Sequence, residues 1–340
     1  MTSFKRRTDL DALRGFAILY IVGFWHLRGY SDALSFLKTP ATLFLTRLVL
    51  GLFTFVSGYL MAAQYTFSDG SQVLAFYRRR FVRIYPLYLA ALSGFLALGL
   101  VELQSVIPAA LLVNTLLDVH VMTLWFVSML AILYLLTPVY LYRFSLARTA
   151  LLTGALWAVL VIVHETTDLV DPRLPQYLVS FVAGIVLAHR PRWEKRVQSG
   201  SALVACALIL GVTFMLFDRK ENPLQIALVD GAILASIPLC LALGQTLAGW
   251  MPQQALSALS YAGFVTYLVH RMTFELGVRL YQPAGLAGSI LYLGGIVLPL
   301  TFLAGFGIQK GYDRVIQRTR LPGRSAEKIS SGVQALETDV

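Results

Sequence analysis

Apolar runs of helix-spanning length recur along this chain, and that recurrence constrains its fold more than any other feature. Crossing the hydrocarbon core takes roughly 20 residues of helix, within a range of about 17 to 25. Ten candidate runs fall near residues 11–29, 42–64, 84–102, 122–142, 150–163, 177–189, 202–217, 224–247, 258–276 and 286–308, the fifth and sixth being short. A further apolar patch at 106–117 is too brief to span and is expected to lie re-entrant or along the interface. Hydrophobic residues make up 57% of the 340 and charged residues only 14%, with a mean hydropathy of +0.69. That is about half the usual charged share, too little to cover a water-facing surface. The predicted class is an all-α, polytopic membrane bundle of about ten transmembrane helices. Soluble, disordered, collagenous and coiled-coil readings are excluded by the same numbers.

The net charge of +10 would suggest nucleic acid in a soluble protein; here its distribution sets orientation instead. Ten spans starting from a cytoplasmic N-terminus put Arg6, Arg7, Arg78, Arg143, Arg192 and Arg314, with their basic neighbours, on the inner side. Arg28, Lys38, Arg47, Arg173, Arg271 and Arg279 are among the fewer that fall outside, so both termini are expected to be cytoplasmic. The first run contains Arg14 and no small-residue cleavage site follows it, which reads as a membrane helix and not a cleaved signal. Residues 1–310 are expected to form the membrane domain, and 311–340 a basic, disordered cytoplasmic tail. Cys206 and Cys240 lie in apolar runs and imply no disulfide framework, and no histidines are paired at metal-ligand spacing.

Ionisable side chains at bilayer depth cost at least about 2.5–3.5 kcal/mol, so each is a functional candidate. Asp11, Arg14 and His26 share the first span, with Arg14 and His26 about 18 Å apart along a helix axis. The ordinary reading has Arg14 snorkelling to inner headgroups and His26 reaching the outer interface. The sharper one makes His26 a base or nucleophile in a polar cavity. Arg78, Arg79, Arg80 and Arg83 cluster at the inner mouth of the third span, where they are either topogenic or suited to phosphate. Pro86 is expected in the first turn of that span. Ser57 and Gly58 suit close helix packing or a direct role, and Trp125 suits an aromatic belt at a span entrance. Tyr267 and His270 sit on the ninth span, and His26, His120 and His270 are outer-side histidines that would form one site if they converge. No Walker loop, HExxH, GxSxG or CxxC is present.

The stretches DLDALRGFAILYIVGFWH, FTFVSGYLM, FYRRRFVRIYPLY, LWFVSMLAILYLLTP and LSYAGFVTYLVH occur in that order over residues 9–270. In them the chain resembles the acyltransferase-3 family of integral membrane O-acyltransferases, which modify bacterial surface polysaccharides. The resemblance implies a ten-helix bundle in the bacterial cytoplasmic (inner) membrane. It would carry an acyl group, acetyl first, from cytoplasmic acyl-CoA to a hydroxyl of a surface or exported polysaccharide or its lipid-linked precursor. Arg14 and His26 match the family's essential N-terminal pair, and Arg79, Arg80 and Arg83 its basic motif. The arginine cluster from Arg78 to Arg83 would bind CoA, and His270, His120, Ser57, Tyr267 and Trp125 would line the substrate path. No metal is expected. The implied partners are the bilayer, the donor, the glycan acceptor, and either a homo-oligomer or an export complex, with no nucleic acid.

The chain departs from the family twice. Eleven residues separate Arg14 from His26 where ten are usual, and twelve helical steps turn the two about 120° apart unless a π-bulge absorbs the extra residue. The stretch after Trp125 reads Ser128, Met129, Leu130 and lacks the acid that many members carry. A flippase of glycan intermediates and a non-catalytic scaffold of polysaccharide assembly are the competing readings.

Overall fold

The computed structural model describes residues 7–220 and 222–319, which are helical with no strand among them. Ten long rods account for most of the chain, each overlapping one of the ten apolar runs. They are α1 (Thr8–Gly29), α2 (Pro40–Gln64), α3 (Gly70–Ala97), α5 (Trp125–Leu141), α6 (Leu146–Thr167), α7 (Arg173–His189), α9 (Gly200–Leu216), α10 (Pro223–Trp250), α11 (Gln253–Leu280) and α12 (Gly285–Arg318). Two short helices, α4 (Leu103–Ala110) and α8 (Pro191–Val197), lie between them.

Five rods, α1, α2, α6, α10 and α12, are both long and apolar enough to cross a membrane, and α8 with α9 make a sixth span bent by 71°. The other rods fall short for identifiable reasons. α5 and α7 have 17 residues each, and α3 and α11 are long but carry arginines in their bodies. The outer surface is that of a protein in lipid. Leu151, Val159, Leu208, Val212, Leu291 and Leu303 are all exposed on α6, α9 and α12, which in water would be an aggregating surface.

The tightest pair is α2 with α7. A Cβ on Gly58 would collide with the Phe181 carbonyl oxygen, and one on Gly184 with that of Phe55. The two backbones therefore touch through reciprocal glycines, the small-residue packing that replaces hydrophobic drive inside lipid. Next to them the Thr54 and Ser180 hydroxyls hydrogen-bond at 2.5 Å across the same interface.

Two details correct the sequence reading. Pro86 stands in the middle of α3, not in its first turn, because the helix begins at Gly70 and carries the arginine cluster in its own body. Proline removes the amide that would bond the carbonyl four residues earlier. That carbonyl, of Val82, instead accepts from the Tyr312 hydroxyl on α12. The last helix also runs on past position 310 to Arg318. Lys5 and Arg6 and the tail from 320 onward lie outside the described residues.

At one end of the bundle Arg7 ties three elements together. Its guanidinium donates to Asp9 at 2.5 and 2.8 Å, to Glu194 of α8 at 2.6 and 3.1 Å, and to the Tyr59 hydroxyl of α2 at 2.8 Å. Hydrogen bonding to Asp9, and then to Glu194, raises its hold on its proton above the ordinary guanidinium value.

Candidate functional site

The site is built where α1 stops being an α-helix. From Ile21 to His26 the backbone adopts π geometry before closing with a 3-10 turn at Leu27–Gly29. A π turn holds one more residue than an α turn, so it absorbs the additional residue between Arg14 and His26. Both ends of α1 accordingly meet α11. Asp11 Oδ1 accepts from Ser260 at 2.9 Å with Arg14 4.0 Å from the same oxygen, and His26 meets His270. Arg28, one of the charges expected at the outer side, is 7% exposed and clamps the end of the turn. It donates to the carbonyls of Trp25 at 3.1 Å and Leu37 at 2.8 Å, and covers the Trp25 ring at 3.4 Å.

His270 Nδ1 lies 2.6 Å from the Tyr267 carbonyl, and its Nε2 lies 2.8 Å from His26 Nδ1. A carbonyl only accepts, so Nδ1 of His270 carries the proton and Nε2 offers a lone pair. His26 Nδ1 then donates to it, which leaves the lone pair of His26 on Nε2. This tautomer assignment follows from the hydrogen-bond network. The Tyr267 hydroxyl donates to the Thr123 carbonyl at 2.7 Å, fixing the helix turn that presents His270. His270 is fully buried, whereas His26 is half-buried and borders a cavity.

That cavity, of about 140 Å³, is walled by Trp25, His26, Trp125, Tyr177 and Tyr267 together with two guanidiniums, Arg47 and Arg173. Arg173 pairs with the buried Asp171, its Nε lying 2.7 and 3.0 Å from the carboxylate oxygens, and stacks 3.8 Å over the Trp125 ring. Arg47 donates to Gln176 at 3.1 Å. Trp125 is thus held between Arg173 and Tyr177 as a wall of the cavity and is 8% exposed, buried more deeply than a belt residue.

Of the expected site residues, His26, His270, Tyr267 and Trp125 come together here. His120 is exposed on the loop between α4 and α5 and does not join the histidine pair. Ser57 is half-buried on α2, beside the Gly58 contact, and does not line this cavity. Arg14 and the α3 arginines do not line it either. The four arginines themselves divide. Arg78, Arg79 and Arg83 are exposed, while Arg80 turns inward among Tyr65, Phe76 and Tyr134, with its Nε buried and without a partner. Sequence reasoning missed Arg47 and Arg173 as cavity residues. Their signal is one ionisable group inside an apolar run and one just ahead of another, which the sequence reading counts only among the outer charges.

A model of the acyltransferase-3 family, described as an acyltransferase domain, matches residues 7–308. The chain belongs to that family. No curated protein and no solved structure matches it. As a member of the acyltransferase-3 family it is an integral membrane acyltransferase, with an acyl donor and an acceptor. After Trp125 the chain reads Phe126, Val127, Ser128 and Met129, with no acid. Ser128 is fully buried and lies 3.3 Å from the Tyr88 hydroxyl. No group of three His, Cys, Asp or Glu side chains among the described residues is placed to hold a metal ion.

Proposed function

We propose that the protein transfers an acyl group, acetyl first, from cytoplasmic acyl-CoA to a hydroxyl of a surface or exported polysaccharide, or of its lipid-linked precursor, in a bacterial inner membrane. The observation that carries this reading is the oriented histidine pair. A network that places the His26 lone pair on Nε2, beside a cavity, is what a general base for an alcohol requires.

The acceptor oxygen attacks the thioester carbonyl while His26 Nε2 takes its proton. The positive charge formed on His26 is shared with His270 through the 2.8 Å bond. Arg47 and Arg173 supply positive charge near the oxyanion of the tetrahedral intermediate. Collapse breaks the C–S bond, and the leaving thiolate recovers the proton from His26. Arg79, Arg80 and Arg83 hold the phosphates of CoA at the inner end, and Arg14 with Asp11 keeps the inner half of α1 polar.

The test is transfer of labelled acetyl from acetyl-CoA by purified protein in nanodiscs to a glycan acceptor. His26→Ala is expected to lower the rate by about 10²–10⁴-fold, the usual worth of a positioned base. An unchanged rate in that variant rejects the assignment. Movement of a glycan across proteoliposomes without any need for acyl-CoA supports the flippase reading instead.

A further inference from the structure

A second cleft lies at the inner ends of the helices, away from His26 and His270. It measures about 470 Å³ and is walled by Thr66, Phe67 and Ser68 after α2, by Arg143 and Phe144 after α5, and by His189 at the end of α7. That volume is within the range of small-molecule sites, about 300–1,000 Å³. The contents of its wall are specific. The Phe144 and His189 rings stack at 3.9 Å and 11°, and both are half-buried. His189 Nδ1 lies 3.0 Å from the Ile185 carbonyl, so it carries the proton and Nε2 is left as an acceptor. Ser68 and Thr66 add hydroxyls. Arg143 holds a left-handed backbone, φ 46°, with its side chain exposed. Such a conformation is uncommon for a residue with a Cβ and gathers at ligand sites.

The cleft also adjoins the arginine cluster. Phe67 stacks on Tyr65 with ring centroids 6.3 Å apart, and the guanidiniums of Arg79 and Arg80 lie 5.7 and 5.3 Å from the Tyr65 ring. Arg80 also donates to the Tyr65 hydroxyl at 3.3 Å and keeps a buried Nε without a partner. One aromatic wall therefore separates a flat-sided cleft from a phosphate-suited set of guanidiniums.

We propose that this cleft seats the purine ring of the acyl donor's nucleotide, with its phosphates reaching the exposed guanidiniums of Arg143, in the cleft wall, and Arg79, beyond it. The face of Phe144 turned away from His189 supplies stacking, and His189, packed on its other face, holds that ring in place. The proposal rests on the acyl-CoA reading above and adds to it where the nucleotide is held.

The experiment is calorimetric binding to the full chain in nanodiscs of three probes: CoA, adenosine 3′,5′-bisphosphate and 4′-phosphopantetheine, the last lacking the nucleotide. Phe144→Ala and His189→Ala are expected to weaken the first two by about tenfold or more, the usual loss on removing a base-stacking partner. Affinity for 4′-phosphopantetheine is expected to stay at its wild-type value, which also shows that the variants are folded. Wild-type affinity of both variants for CoA and the bisphosphate overturns the purine site while leaving acyl-CoA as donor. A wild-type protein that binds none of the three probes overturns both readings together.

Discussion

His270 touches the candidate base, His26, at 2.8 Å from the side opposite the nitrogen that would accept a proton. Its own proton is committed to the Tyr267 carbonyl. The role this gives His270 is to hold the His26 tautomer. His270→Ala is expected to lower transfer by about tenfold or more, short of the loss in His26→Ala. His270→Gln, whose amide oxygen can accept from His26 Nδ1, is expected to recover part of it. Steady-state transfer rates of the three variants at saturating donor decide the matter; equal losses in His270→Ala and His270→Gln reject the positioning role.

The π turn makes a prediction about chain length. Deleting Gly23, which lies within it, returns the segment to an α-helix without turning His26 away from α11. That variant is expected to keep activity within about tenfold. Inserting one alanine after Gly23 leaves no turn to absorb it, and activity is expected to fall by about a hundredfold. The same assay reads both.

The Tyr312–Val82 bond substitutes for a missing amide at Pro86. Tyr312→Phe is expected to cost about 1 kcal/mol in thermal unfolding. In a Pro86→Ala background the restored amide can bond Val82, so the same substitution is expected to cost less. A double-mutant cycle that shows simple additivity contradicts this coupling.

The α2–α7 contact tolerates no side chain at its centre. Gly58→Val and Gly184→Val are each expected to lower stability by about 1–3 kcal/mol or more. Fluorescence-detected size-exclusion after a heat step measures it; an unshifted melting profile for either variant rejects the packing argument.

Much of this was legible in the sequence because lipid imposes so simple a rule. Every long apolar run became a helix, and the costly residues His26 and His270 marked where two of them meet. The additional residue between Arg14 and His26 was visible as an angular mismatch, and the π turn answers it. What could not be read was direction. Arg80 shares its cluster with three exposed arginines, and only the packing of Tyr65, Phe76 and Tyr134 around it tells it apart. That Arg28 is covered, and that Arg47 and Arg173 wall a cavity, was equally hidden, because linear distance to a helix end says nothing about which neighbours close over a side chain. His120 failed to join the other histidines because its loop, unlike a helix, has no periodicity from which to project a face.

The reciprocal glycine contact carries a mechanical consequence. Two helices whose main chains abut cannot slide or part without losing the fit at both points, so α2 and α7 form one stiff plank. That plank borders the histidine cavity through Arg47 and Tyr177 and the second cleft through His189. The two openings therefore share one unyielding wall, and their shapes can change only through the helices that face it.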